Sequence, residues 1–198
     1  MPPTTPSPGR RILVIGTSGA GKTHVAEALA RILDIPYICN DAIIWRPNWQ
    51  ETPKDEVFAE FDAATSAPAW TLDGNLAGSH PEDRLVLSRC DTIVWLDLPR
   101  WQVWSAITRR TLWRAITRKS YWHGNVERWR NVFSHDSMIW WSIKTFPRRR
   151  RNYTALFADP THGGKTRVRL TSRRRVNAWL ASLPPPNAES LDPARAVI

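Results

Sequence analysis

The sequence predicts an α/β fold built on a parallel sheet, and three observations predict it. Short apolar runs alternate with stretches of helical period along the 198 residues. Those runs are apolar throughout rather than alternating, the pattern of strands covered on both faces. A glycine-rich turn, "GTSGAGKT" at residues 16–23, joins the first apolar run to the first helical stretch.

The elements follow in order. "RRILVIG" reads as a buried strand ending at Gly16. "KTHVAEALARIL" places Val25, Ala26, Leu29, Ala30 and Leu33 at helical spacing. "IPYIC" is a second strand, and "PKDEVFAEFDAAT" a helix with Val57, Phe58 and Phe61 on one side. "AWTLDG" is a third strand that ends in an acid and a glycine. "HPEDRLVLSR" is a short helix with Pro81 at its first position. "CDTIVWLDLP" is a fourth strand, stopped by Pro99. About 65 residues without a convincing strand follow, rich in Arg and Trp, and read as three or four helices. "RVRLTS" is a fifth strand, and "SRRRVNAWLASL" a closing helix that Ser172 can cap. Residues 1–9 and 184–198 are Pro-rich and read as flexible tails around a unit spanning 10–183.

The net charge of +10 is unevenly spread. Residues 1–99 hold 8 Lys and Arg against 13 Asp and Glu; residues 100–151 hold 13 against 2. Such a basic segment attracts polyanions, either nucleotide phosphates or a nucleic-acid backbone, or forms a solvated face. No apolar run approaches the roughly 20 residues that span a bilayer, and the N-terminus has no apolar signal segment. Cys39 and Cys90 make neither a disulfide framework nor a metal pattern and read as small buried hydrophobes. A cytosolic protein is expected.

The glycine-rich turn carries the chemistry. Residues 16–23 match G-x-x-x-x-G-K-[ST] between a strand and a helix. The glycines let successive backbone N–H groups point at phosphate oxygens, and the helix beyond adds the positive end of its dipole. Gly16, Ser18, Gly19, Ala20, Gly21, Lys22 and Thr23 are therefore the expected cradle for ATP. Lys22 reaches the β- and γ-phosphates, and the Thr23 hydroxyl can ligate Mg²⁺.

Ligands of open α/β sheets sit beyond the carboxyl ends of the strands. Asp41, Asp73 and Asp97 lie there. Asp41, followed by Trp45 and "RPNW", is expected on the acceptor side, with a helix cap as the alternative. Asp73 in "DGN" reads as a turn that could lie under the acceptor, or as simple turn chemistry. Asp97 could be a Mg²⁺-associated acid or a strand-terminal cap.

The P-loop, "ICNDAIIW.PNW", "TLDGN", "IVWLDLP" and the Arg-rich insertion together resemble the adenylate-kinase-like P-loop NTPases of the topology modulation protein (FlaR-type) family. The likeness runs from about residue 11 to 182. It implies the nucleoside monophosphate kinase fold, a three-layer α/β arrangement with a five-stranded parallel sheet in the order 2-3-1-4-5. It implies a helical lid at about 100–158 whose arginines touch the transferring phosphoryl group. Arg110, Arg114 and Arg118 share a helix face at that place, and Ala106 stands where members commonly carry another arginine. "DGN" stands where adenylate kinases have D-G-F-P-R, so the acceptor-binding arginine of that motif has no counterpart.

Residues 100–151 also carry seven tryptophans: 101, 104, 113, 122, 129, 140 and 141. Packing in the lid core is the expectation, and base stacking beside arginines the alternative. Four arginines run from Arg148 to Arg151, of which Arg149 or Arg151 would face the active site, Arg151 being assigned to the nucleotide. The sequence thus points to a phosphotransferase. It would pass the γ-phosphoryl group of ATP, with Mg²⁺, to a small acceptor, a nucleoside monophosphate among the candidates. Lys22, Asp41, Arg110 and Arg114 would be catalytic, and Arg118 and Arg151 would help hold the nucleotide. A nucleotide-binding regulator that associates with nucleic acid is the alternative, and a macromolecular kinase on the same scaffold a third.

Overall fold

The structure, a computed structural model, describes residues 6–117, 120–126 and 138–184. Five parallel strands form the sheet: β1 (Arg11–Gly16), β2 (Tyr37–Cys39), β3 (Trp70–Gly74), β4 (Thr92–Leu96) and β5 (Thr166–Leu170). Their spatial order is β2-β3-β1-β4-β5. The chain direction reverses its lateral course at β1, so a crevice opens at the carboxyl ends of β1, β3 and β4.

β1 sits at the centre because its residues are apolar on both faces: Ile12 to Ile15 are all fully buried. Ile12 and Val14 face one layer, formed by helices α1 (Lys22–Leu33) and, from the chain's end, Arg173–Ala181. Leu13 and Ile15 face the other layer, which holds Val57 and Phe61, Val86 and Leu87, and Tyr153 and Leu156. These come from α3 (Lys54–Thr65), α4 (Pro81–Arg89) and α6 (Met138–Ala158). The remaining helices are α2 (Asn40–Ile44), α5 (Arg100–Thr117) and the closing α7 (Arg173–Ala181). Pro81 occupies the first turn of α4, and the Ser172 hydroxyl accepts from the Arg175 amide at the start of α7. Among the described residues no helix is long and apolar enough to cross a membrane.

Several expectations are corrected. Phe58 is 41% exposed, because the apolar face of α3 is the narrower Val57–Phe61 stripe. The insertion after β4 contains extended chain as well as helix: Ser120–Tyr121 pairs antiparallel with Asn125–Val126. A matching two-residue ribbon, Trp45–Arg46 with Gln50–Glu51, follows α2. The lid tryptophans are largely not core. Trp101, Trp113 and Trp140 are 59–68% exposed, and Trp141 is also exposed. α5 instead buries Val103 and Ile107, so aromatics in other phases of the helix face outward. Trp104 is part-buried against Phe146; Trp129 lies outside the described residues.

Asp97, at the end of β4, is not available to a metal. Its side chain is buried and accepts from two arginines. Arg150 of α6 donates through Nε to Oδ1 at 2.8 Å, and Arg169 of β5 donates through Nε and Nη2 to Oδ2 at 3.0 and 2.5 Å. The Arg169 guanidinium also stacks on the Trp95 ring, 4.5 Å from its centroid. The carboxylate thus ties α6 to the sheet edge. Asp97→Asn should lower unfolding stability by about 1–3 kcal/mol, since two cations lose a charged acceptor but keep access to water. Chemical denaturation checks this; a midpoint equal to wild type would contradict it.

Candidate active site

β1 runs into the glycine-rich loop, which two lid helices then confine. Gly19 and Gly21 have φ of 90° and 91°, the left-handed region that favours glycine. Gly19 is doubly constrained, because a Cβ there would stand 2.6 Å from the Val103 carbonyl oxygen on α5. α6 lies along the other side. Ser142 donates its hydroxyl to the Ser18 carbonyl at 3.2 Å, and Tyr153 donates to the Gly16 carbonyl at 3.4 Å. Ser142, Phe146, Arg149, Tyr153 and Leu156 recur at helical spacing, so the face of α6 that packs on the loop also carries Arg149.

Lys22 begins α1. Burial pulls its ammonium from the usual 10.5 down to about 8, opposed by the charges of Asp73 and Asp41 and reinforced by those of Arg149 and Arg110. Two carboxylates and two guanidinium groups from four separate elements therefore act on the P-loop lysine. Asp41 and Arg110 are among the residues the sequence singled out. Arg110 shares a face of α5 with Val103 and Ile107; Arg114 lies one turn further on that face, part-buried. Arg118 lies outside the described residues. Arg151 is exposed on α6, two residues out of phase with the loop-facing stripe. Arg149 takes the inward place: it stacks on Trp141 at 4.5 Å, and its buried Nε has no hydrogen-bond partner among the described residues.

Asp73 emerges as the acid the sequence could not single out. It ends β3, flanked in register by Cys39 on β2 and Val14 on β1. The Thr23 hydroxyl donates to its Oδ2 at 2.5 Å and the Tyr37 hydroxyl to its Oδ1 at 3.0 Å. Burial, with the Asp73 charge, pushes the Tyr37 phenol far up, so it stays a donor. Cys39 is only half-buried here, and burial and Asp73 raise its thiol as well; Cys90 is buried as expected. Asp41 is not the cap of α2 but its second residue. Its Oδ1 accepts from the Asn40 amide at 3.2 Å.

The residues present fit Mg²⁺. This ion takes one or two protein oxygens and fills its shell with water and phosphate, and Thr23 with Asp73 offers a hydroxyl and a carboxylate beside the loop. Among the described residues no group of three or more His, Cys, Asp or Glu offers a larger cage.

The Ser120–Val126 ribbon lies on the Trp45–Glu51 ribbon. Buried Asn125 donates through Nδ2 to the Arg46 carbonyl and accepts at Oδ1 from the Trp49 amide, both at 2.9 Å. His123 Nε2 is 3.0 Å from the Ala42 carbonyl. No local pattern in the sequence marks this latch.

Two outcomes follow from this geometry. ATP binding should raise the depressed Lys22 pKa, because phosphate favours the ammonium. At pH 8, where the free lysine is about half protonated, binding should take up roughly half a proton. Calorimetry in buffers of different ionisation enthalpy measures this, and Lys22→Met should abolish it; equal uptake in both would exclude Lys22 as its source. Asn125→Ala should accelerate hydrogen exchange of the Trp49 amide about tenfold or more, through loss of about 1–2 kcal/mol of bonding. Unchanged protection of that amide would show that the latch does not form.

The chain is similar in structure to two solved kinases. One is shikimate kinase from Acinetobacter baumannii in complex with shikimate, with a TM-score of 0.56 at 16% identity over 89% of this chain and 90% of that one. The other is shikimate kinase from Bacteroides thetaiotaomicron, with a TM-score of 0.54 at 14% identity over 86% and 93%. No family model matches the chain. At these identities the likeness is one of fold, and the fold is that of the P-loop kinases: a five-stranded parallel sheet between helical layers.

Proposed function

We infer that this protein is an ATP-dependent phosphotransferase with a small acceptor, of the adenylate-kinase-like topology modulation type that the sequence resembles. The observation that carries the reading is the convergence of Asp41, Asp73, Arg110 and Arg149 on Lys22 at the end of a glycine-rich loop.

The roles follow from position. The loop amides and Lys22 hold the β- and γ-phosphates. Thr23 and Asp73 would hold Mg²⁺, which when bound would neutralise charge on those phosphates. Asp41 accepts the proton of the acceptor hydroxyl as its oxygen bonds to the γ-phosphorus. The bond from that phosphorus to the β,γ-bridging oxygen breaks, and ADP leaves with the electron pair. Arg110 and Arg149 stabilise the charge in transit; the buried Nε of Arg149, which has no acceptor among the described residues, can donate to a phosphoryl oxygen. Arg114, one turn beyond Arg110 on α5, is assigned with it to the reacting phosphoryl group, and Arg118 and Arg151 to the nucleotide.

Lys22→Ala should abolish turnover while leaving the fold intact, since it removes a charge that burial disfavours. Arg149→Ala should lower kcat by about 10³-fold, the scale of a transition-state arginine, whereas Arg151→Ala should leave kcat nearly unchanged. Turnover that survives Lys22→Ala, or equal effects at both arginines, would refute the assignment.

One observation favours a second reading. α5 and α6 carry nine Lys and Arg (four and five) and no carboxylate, with Trp101, Trp113 and Trp140 exposed beside them. That is the composition of a surface on which bases stack while cations hold phosphates. A regulator using it should bind single-stranded oligonucleotide with affinity that falls steeply with salt; absence of binding at low salt would remove this reading.

A further inference from the structure

We propose that the acceptor is an uncharged or cationic polyhydroxylated small molecule, recognised through the hydrogen bonds it donates, and not a phosphomonoester. This rests on the phosphotransferase reading above and names the substrate class of the same site.

The site has two halves of opposite character. Lys22, Arg110 and Arg149 supply its positive charge, from the loop and the lid helices. The other half lies at the ends of β2 and β3 and is built of Asn40, Asp41, Asp73 and Asn75. From residue 40 to 65, the segment that forms the acceptor side, there are six carboxylates and two cations. Neither cation serves an anionic ligand: Arg46 is paired with Glu56, and Lys54 is exposed at the start of α3. A phosphomonoester dianion placed here would meet Asp41 and Asp73, and among the described residues of the acceptor side no guanidinium or ammonium is free to receive it. Like charges brought together out of bulk water repel strongly.

The second observation concerns which way the amides point. Amide oxygen and nitrogen are assigned from their partners, and here the partner decides. The Asp41 carboxylate only accepts, so the Asn40 NH₂ group must face it. The Asn40 Oδ1 atom is thereby turned toward Gly74, 3.2 Å from where a Cβ would stand. It is buried and no group among the described residues donates to it; the same holds for Asn75 Oδ1 on the next turn of chain. What the bed lacks is donors. Hydroxyl and ammonium groups supply donors; phosphate dianions and carboxylates supply none. Both oxygens are sealed from solvent, so the bed must loosen to admit the ligand.

The test compares matched pairs of acceptors using γ-labelled ATP, after calorimetry has measured ATP binding to the full chain. The probes are adenosine against AMP, ribose against ribose 5-phosphate, and glucosamine against gluconate. Label should pass to the uncharged or cationic member of at least one pair, with kcat/KM about a hundredfold above its anionic partner. Asn40→Leu should raise the KM of the best such probe about tenfold with the KM of ATP unchanged. Asn75→Leu repeats the measurement at a less buried position should the first variant not fold. Transfer to AMP, ribose 5-phosphate or gluconate as good as to its partner would overturn the proposal. So would tight ATP binding with no transfer to any probe, which leaves the ATP site standing but removes this acceptor class. Failure to bind ATP at all would instead overturn the phosphotransferase reading on which the proposal rests.

Discussion

Lys22 is the point on which the rest of the structure depends. A lysine buried beside two guanidinium groups loses much of its preference for the charged form, and the charges of Asp73 and Asp41 oppose that loss. The arrangement is costly for a folded protein by itself and makes sense as a socket for a polyanion. The two acids could not simply be removed: Asp73 also orders Thr23 and Tyr37. Nor could they be multiplied without repelling the phosphates. Two carboxylates and two guanidinium groups are thereby balanced about one ammonium group.

Geometry enforces that balance through close packing. Gly19 allows the Val103 carbonyl to approach to a distance that no side chain would permit, so α5 lies directly on the loop and brings Arg110 with it. Ser142 and Tyr153 hold α6 to the loop's carbonyls on the other side, and the same helix phase delivers Arg149. The Asp97 clamp then fixes α6 to β4 and β5. The lid helices are thus part of the loop's own wall, and Asn125 ties the ribbon after β4 to the Trp45–Glu51 ribbon.

Much of this was legible in the sequence. The strands and the glycine-rich loop were local patterns, and β1 to β5 fall where apolar runs placed them. Asp73 and Asp97 show why other parts were not: both end an apolar strand and look alike locally. Strand order separates them, setting Asp73 beside Thr23 and Tyr37 and giving Asp97 to Arg169 of the neighbouring strand. Arg149 was partly legible. Its phase with Phe146 and Tyr153 distinguishes it from Arg151, and an apolar helical stripe is a signal that sequence does carry. The exposure of Trp101, Trp113 and Trp140 was not legible, because a tryptophan's hydrophobicity does not say which face of a helix finds a partner. The two ribbons lie in segments too short for any period to mark them.

Whether the two halves of the site face each other across Lys22 is open to direct measurement. A crystal structure of the complex with a non-hydrolysable ATP analogue and Mn²⁺ tests it most directly, since the anomalous signal locates the metal. The account predicts the metal beside Thr23 and Asp73, and the γ-phosphate in contact with Lys22 and Arg149. Its far side should open toward Asp41. A triphosphate lying elsewhere, or a metal beside Asp97, would contradict it.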